Sequence, residues 1–140
     1  MSKKDIFVIH NHKNFSGSAR SLGELIKSLE KKINFSVICP EGSSSKYFKE
    51  ININVFNVMK VPRFNHFELG HYRGIRWFLL FRELIAFIYF FCFLIKLKIK
   101  KKKISIFHLN EIELVICAPL LKLFFNSKIS SHLRCPLEVK

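Results

Sequence analysis

Two histidines, His108 and His132, each stand at or near the end of a short β-rich run, and each is followed two residues later by a polar side chain, Asn110 and Arg134. A third place for chemistry is the stretch 10–21, His-Asn-His-Lys-Asn-Phe-Ser-Gly-Ser-Ala-Arg-Ser, set between a strand-like run (5–9) and a helix-like repeat (22–26). A small-residue loop there suits a phosphate cradle, a sugar-acceptor loop or an ordinary strand-to-helix turn. Gly17 stands at the entrance to the helix, where free backbone N–H groups and the helix dipole meet an anion or a sugar hydroxyl. It either admits such a ligand or only makes the turn. The dinucleotide fingerprint G-x-G-x-x-G and the phosphate loop G-x-x-x-x-G-K-[ST] are both absent.

These residues need a frame to bring them together. The runs 6–9, 35–39, 53–58 and 104–109 are β-branched, aromatic and largely continuous in apolar character, as in strands covered on both faces. Residues 128–133 form a weaker fifth. Between them, Leu22, Leu25, Ile26, Leu29 and Ile33 fall on one helical stripe, and Ser21 with Glu24 offers a capping box at its start. Residues 41–46 read as a loop leading into a short turn of helix near Tyr47. A polar and aromatic connection, 62–74, precedes a helix over 75–99. A last helix over 112–125 must accommodate Pro119, either by a kink or by starting there. Strand and helix alternate to the end, which predicts an α/β fold: a Rossmann-like, doubly wound parallel sheet of about five strands with helices on both faces. Ligands of such sheets bind beyond the carboxyl ends of the strands, where strand order reverses. His108 and His132 would then project toward one crevice.

At 140 residues the chain is long enough for one domain with its own core. Cys39, Cys92, Cys117 and Cys135 have no C-x-x-C spacing and no histidine pair at zinc-finger distance, so they read as reduced thiols, and no metal is expected. No apolar segment near the N-terminus has the length of a secretory signal, which points to the cytoplasm. The formal charge of +14 invites a polyanionic partner. Two sources remain open: the lysine, isoleucine, phenylalanine and asparagine bias of an AT-rich coding sequence, or attraction to an anionic membrane. The densest basic run, 96–103, directly follows the most apolar segment, and its Lys100, Lys101, Lys102 and Lys103 are the candidate membrane contacts. Nucleic acid is not expected, because no RNP-like aromatic motif or helix-turn-helix signal is present.

Between Glu83 and Lys96 lie twelve uncharged residues, about 18 Å of helix against a hydrocarbon core of about 30 Å. Extension backward brings Arg82 and Glu83 into the segment. Three placements follow: a helix buried between the sheet and a neighbour, one lying in a membrane interface, or a span.

The loop Ser16-Gly-Ser-Ala-Arg-Ser-Leu22 resembles the Gly-Gly-x-x-Arg-Ser-Leu segment after the first strand of family 4 glycosyltransferases. Ser105-Ile-Phe-His-Leu-Asn110 resembles their Asp-Ile-Val-His-x-Asn segment, and His132-Leu-Arg134 resembles a His-x-Arg found after the next strand in a subset of them. Ser16 replaces the first glycine, Ala19 a frequent glutamate and Ser105 the usual aspartate. The resemblance implies a GT-B enzyme that transfers a sugar from a nucleotide-sugar donor, with retention, to a polysaccharide or lipid-linked acceptor, without a metal or other cofactor. It implies that His132 is the catalytic-crevice histidine, hydrogen-bonding a sugar hydroxyl, and that Gly17, Arg20, His108, Asn110 and Arg134 shape the acceptor and donor crevice. The family's donor-binding domain, with Glu-x7-Glu and a basic pair, has no counterpart here. The resemblance thus implies that residues 1–140 are an incomplete N-terminal, acceptor-side domain, inactive alone, encoded as a fragment, a truncated gene or one half of a split enzyme whose partner is a separate C-terminal half. The alternative is a non-catalytic membrane-surface or interaction protein on the same half-Rossmann scaffold.

Overall fold

The chain is described over residues 4–63, 74–101 and 104–132 of a computed structural model. Five strands, β1 (Lys4–Ile9), β2 (Ile33–Pro40), β3 (Asn54–Val58), β4 (Ile106–Leu109) and β5 (Lys128–Ser131), form one sheet in the order β3-β2-β1-β4-β5. Every neighbouring pair is parallel. The helices are α1 (Gly17–Leu29), α2 (Ser43–Glu50), α3 (Leu79–Lys100) and α4 (Ala118–Phe125). The expected doubly wound α/β architecture is present, and strand order reverses between β1 and β4.

Successive side chains of a strand face opposite sides of the sheet, so β1 feeds two cores. Val8 packs with Ala19, Leu22, Ile26, Val37 and Phe48 under α1 and α2. Phe7 and Ile9 join Ile38, Phe90, Leu94, Leu114 and Leu121 under α3 and α4. The central strands need apolar residues at consecutive positions for this reason. The edge strand β5 does not, and its Lys128, Ser130 and Ser131 are exposed.

Several local expectations are corrected. The proposed capping box does not form, because α1 begins a turn earlier: Ser16 is its N-cap, and Glu24 pairs instead with Arg20 Nε at 3.3 Å. Ile33 leaves the helical stripe and starts β2, where its β-branched side chain fits a pleated surface. The serine run lies inside α2 rather than in a loop. Residues 112–125 do not make one α-helix: a 3-10 turn (Ile112–Cys117) precedes α4, leaving Pro119 in the first turn, where an absent N–H breaks no helical bond. Asn126 ends α4 at φ 47°, a left-handed cap that asparagine adopts more readily than most residues.

Burial of α3 on nearly all sides, the first of its three expected placements, is also overturned. Only Glu83, Ala86, Phe90, Leu94 and Leu97 are buried, a single stripe facing the sheet. Phe81, Leu84, Ile85, Ile88, Tyr89, Phe91 and Ile95 are all more than 40% exposed. With the preceding 3-10 turn (Gly74–Phe78) the helical segment runs 27 residues, long and apolar enough to cross a membrane by length and composition. Its buried stripe, however, ties it to a sheet whose parallel strands β3 and β4 bracket it in sequence.

Candidate functional site at the strand-order reversal

The sheet ladder continues one residue past each strand: His10 N–H donates to Ile38 O, Asn110 N–H to Ile9 O and His132 N–H to Leu109 O, at 2.9 to 3.0 Å. This carries His10 and Asn110 side by side at the reversal point. Asn110 Nδ2 donates to His10 Nδ1 at 3.0 Å, with both residues fully buried. An accepting Nδ1 places a neutral ring's proton on Nε2. One step outward, His12 Nε2 lies 2.8 Å from Glu111 Oε1. The hydrogen bond to Glu111 is the main reason the His12 pKa is raised, and it outweighs desolvation; Glu113 adds to it and Arg63 opposes it. The loops after β1 and β4 are thus clasped twice, by the buried Asn110–His10 bond and by the outer His12–Glu111 one.

The stretch after β1 is shaped by α2. Ser44 N–H donates to Lys13 O at 3.1 Å, Ser44 Oγ to Asn14 O at 2.7 Å, and Phe15 N–H to Ser43 Oγ at 2.7 Å. A Cβ at Gly42 would sit 2.4 Å from Lys13 O, so this close approach requires glycine. At Gly17 nothing lies within 4 Å of such a Cβ, and the chain's own packing does not demand glycine there. Arg20 is exposed and engaged with Glu24.

His108 and His132 do come together, with ring centroids 6.2 Å apart and the planes nearly perpendicular. His108 Nδ1 also meets Ser130 Oγ at 2.9 Å. By strand alternation His108 faces the α1 side of the sheet, where it lines an apolar groove of about 440 Å³ with Leu22, Leu25, Leu29, Ile106 and Ile129. His132 is exposed at the end of β5. Arg134, Lys102 and Lys103 lie outside the described residues; Lys100 and Lys101 are exposed at the end of α3.

On the α3 side of the same edge lies a cleft of about 430 Å³ lined by His12, Lys13, Lys60, Arg63, Arg82 and Glu83 among others. Glu83 is 8% exposed. It accepts from Arg63 N–H at 3.1 Å and from the Arg82 guanidinium at 2.8 Å. The Glu83 carboxylate, one of the two charges at the start of the apolar segment, thus anchors the residues after β3 to α3. Neither this cleft nor the His12–Glu111 pair was identified from sequence. The signal was present in the register, since pairing of Ile9 with Leu109 sets the residues after β1 against those after β4.

Among the described residues, no group of three or more His, Cys, Asp or Glu side chains is placed to hold a metal ion. Comparison with protein-family models, curated proteins and solved structures finds no match to this chain.

Proposed function

We propose that the chain is the acceptor-side half of a retaining glycosyltransferase of GT-B build, working at an anionic membrane surface. One observation carries the reading: the described residues of the segments that resemble family 4 motifs lie toward one carboxyl edge of a sheet that reverses between β1 and β4, where ligands of doubly wound folds bind. His132 and its neighbour His108 stand on the α1 side, where Gly17 opens α1. In this reading His132 hydrogen-bonds a sugar hydroxyl, and Gly17 leaves room for the diphosphate or the acceptor. Asn110 is a positioning residue, holding the edge together through His10.

An oxocarbenium-like transition state gains from preorganised donors and from charge that does not have to reorganise. Half of that environment belongs to a donor-binding domain, so transfer requires the second half. The test pairs the chain with such a domain and follows labelled sugar into a membrane extract. His132→Ala should lower the rate by about 10² or more, a size found when one oriented transition-state donor is removed. An unchanged rate removes His132 from the site.

A second reading, a non-catalytic membrane-surface protein, is favoured by the exposed apolar face of α3. It predicts vesicle binding that no sugar nucleotide alters and no transfer with any donor half.

A further inference from the structure

We propose that the cleft on the α3 side binds the phosphate group of a membrane-resident lipid while α3 lies in the headgroup plane beside it. This deepens the acceptor-side reading by naming the acceptor class, and it rests on that reading only for the sugar-transfer step.

The charge balance of the cleft comes first. Of the carboxylates at hand, Glu83 is engaged by Arg82 and Arg63 N–H, and Glu111 by His12. Lys13 and Lys60 make no ion pair among the described residues, and the Arg63 guanidinium likewise has no carboxylate partner there. Three cations with no carboxylate partner among the described residues therefore line a concavity large enough for a phosphate or diphosphate group. Cationic side chains at short range give charge-assisted hydrogen bonds to phosphate oxygens.

The helix that walls the cleft explains why the phosphate would arrive on a lipid. At 100° per residue, Glu83, Ala86, Phe90, Leu94 and Leu97 form the buried stripe of α3, and Leu84, Ile88, Phe91 and Ile95 form a crest on the opposite side. Arg82, Lys96 and Lys100 fall together on the flank between stripe and crest. Arg82 on that flank and Ala86 at the adjoining edge of the buried stripe also line the cleft. An amphipathic helix with its crest at the acyl boundary holds such flank cations at the level of lipid phosphates. The cleft then opens at the same level.

Charge selects this occupant over the others. Docking of a second copy crest to crest would bring together two chains of formal charge +14, each with the same cationic flank. A nucleic acid would match the charge but leave the crest in water.

Cys92 lies on the crest side and is exposed, whereas Cys39 and Cys117 are buried, so a dye on Cys92 in a Cys135→Ser background reports burial of this face. The full chain is titrated with vesicles of phosphatidylcholine plus phosphatidic acid, whose phosphate is a monoester. A parallel titration uses phosphatidylglycerol, a diester, at equal surface charge. The dye should shift to the blue with both, and phosphatidic acid should bind about tenfold more tightly. Lys60→Gln with Arg63→Gln should abolish that preference, while phosphatidylglycerol binding weakens by no more than about 30-fold, the general loss of two surface cations. Leu84→Ser with Ile88→Ser should abolish the dye shift with both lipids. These substitutions are at exposed side chains, and circular dichroism verifies that each variant is folded. Equal affinity for the two lipids, unchanged in Lys60→Gln with Arg63→Gln, overturns the phosphate site. Binding of inorganic phosphate alone, as tightly as vesicles and with no dye shift, assigns the cleft to a soluble ligand and overturns the lipid. A dye shift only on dimerisation, seen by sedimentation, overturns the membrane in favour of a second copy. If lipid-phosphate selectivity holds and sugar transfer fails, the acceptor-side reading falls alone.

Discussion

His12 Nε2 and Glu111 Oε1 stand 2.8 Å apart, joining the loop after β1 to the loop after β4 across the point where strand order reverses. Around this clasp the cationic cleft lies on the α3 side and the histidine pair of β4 and β5 on the α1 side. A ligand reaching both would have to pass over it.

The pair makes the clasp sensitive to pH. His12 gains a partner in the fold and its pKa rises above 6.5. Its contribution is therefore complete below about pH 6.5 and is lost as pH rises through the raised folded value, provided Glu111 stays ionised. The His12 side chain is 45% exposed, so solvent screening holds the contribution to less than about 1 kcal/mol. An NMR titration of the His12 ring should give a midpoint above 6.5, falling in Glu111→Gln. An unchanged midpoint in that variant would remove Glu111 as the cause.

The inner bond matters more to stability. Asn110→Ala removes the buried hydrogen bond to His10 Nδ1, and losses of this kind cost about 1–3 kcal/mol. Urea unfolding should show this cost with an unchanged dependence on denaturant concentration.

Two glycines should behave in opposite ways. Gly42→Ala drives a methyl group into the Lys13 carbonyl and should destabilise the chain while loosening the loop before α1. Gly17→Ala places its methyl group with no packing neighbour among the described residues within 4 Å; in a helix, alanine is favoured over glycine by up to about 1 kcal/mol. Thermal melts give both signs. If Gly17→Ala melts higher yet loses transfer in the paired enzyme, the room at Gly17 belongs to a ligand.

Helix α3 separates core from surface within one element. Phe90, fully buried against the sheet, should cost about 3–5 kcal/mol on replacement by alanine. Ile88, 59% exposed two positions away, should change stability by no more than about 0.5 kcal/mol when made serine. Equal losses at the two positions would contradict the one-sided packing of α3.

The cysteines give a chemical reading of the same burial. Desolvation pushes the Cys39 thiol up to about 12, against a smaller opposing effect of Lys49, and raises Cys117 as well. At neutral pH iodoacetamide should modify exposed Cys92 and spare Cys39 and Cys117 until the chain unfolds.

Much of the fold was legible because its periodicities were strong. The apolar runs at 6–9 and 35–39 had to be central strands, and they are β1 and β2. His108 and His132 come near one another because they share a face of neighbouring parallel strands, although their places are not equivalent: His108 lies opposite Ser130, and His132 two positions beyond it. What failed was local: Ser21 and Glu24 had capping-box chemistry, but α1 starts earlier, with Ser16 at its N-cap position. The one-sided exposure of α3 was hidden because its crest and its buried stripe are both apolar, so periodicity carried no contrast. The cleft was hidden for a different reason. Its cations come from after β1, after β3 and from α3, and their convergence depends on register and on the anchoring of Arg63 by Glu83.

The central claim is that this chain supplies the acceptor side of a sugar transferase. Its most direct test is transfer of labelled sugar from nucleotide-sugar donors to a membrane lipid extract by the chain paired with a donor-binding domain. Transfer that needs both halves, releases one nucleoside diphosphate per sugar and collapses with His132→Ala is the predicted result. Folded halves that associate on vesicles yet transfer no sugar from any donor would contradict the claim and leave the membrane-surface protein in its place.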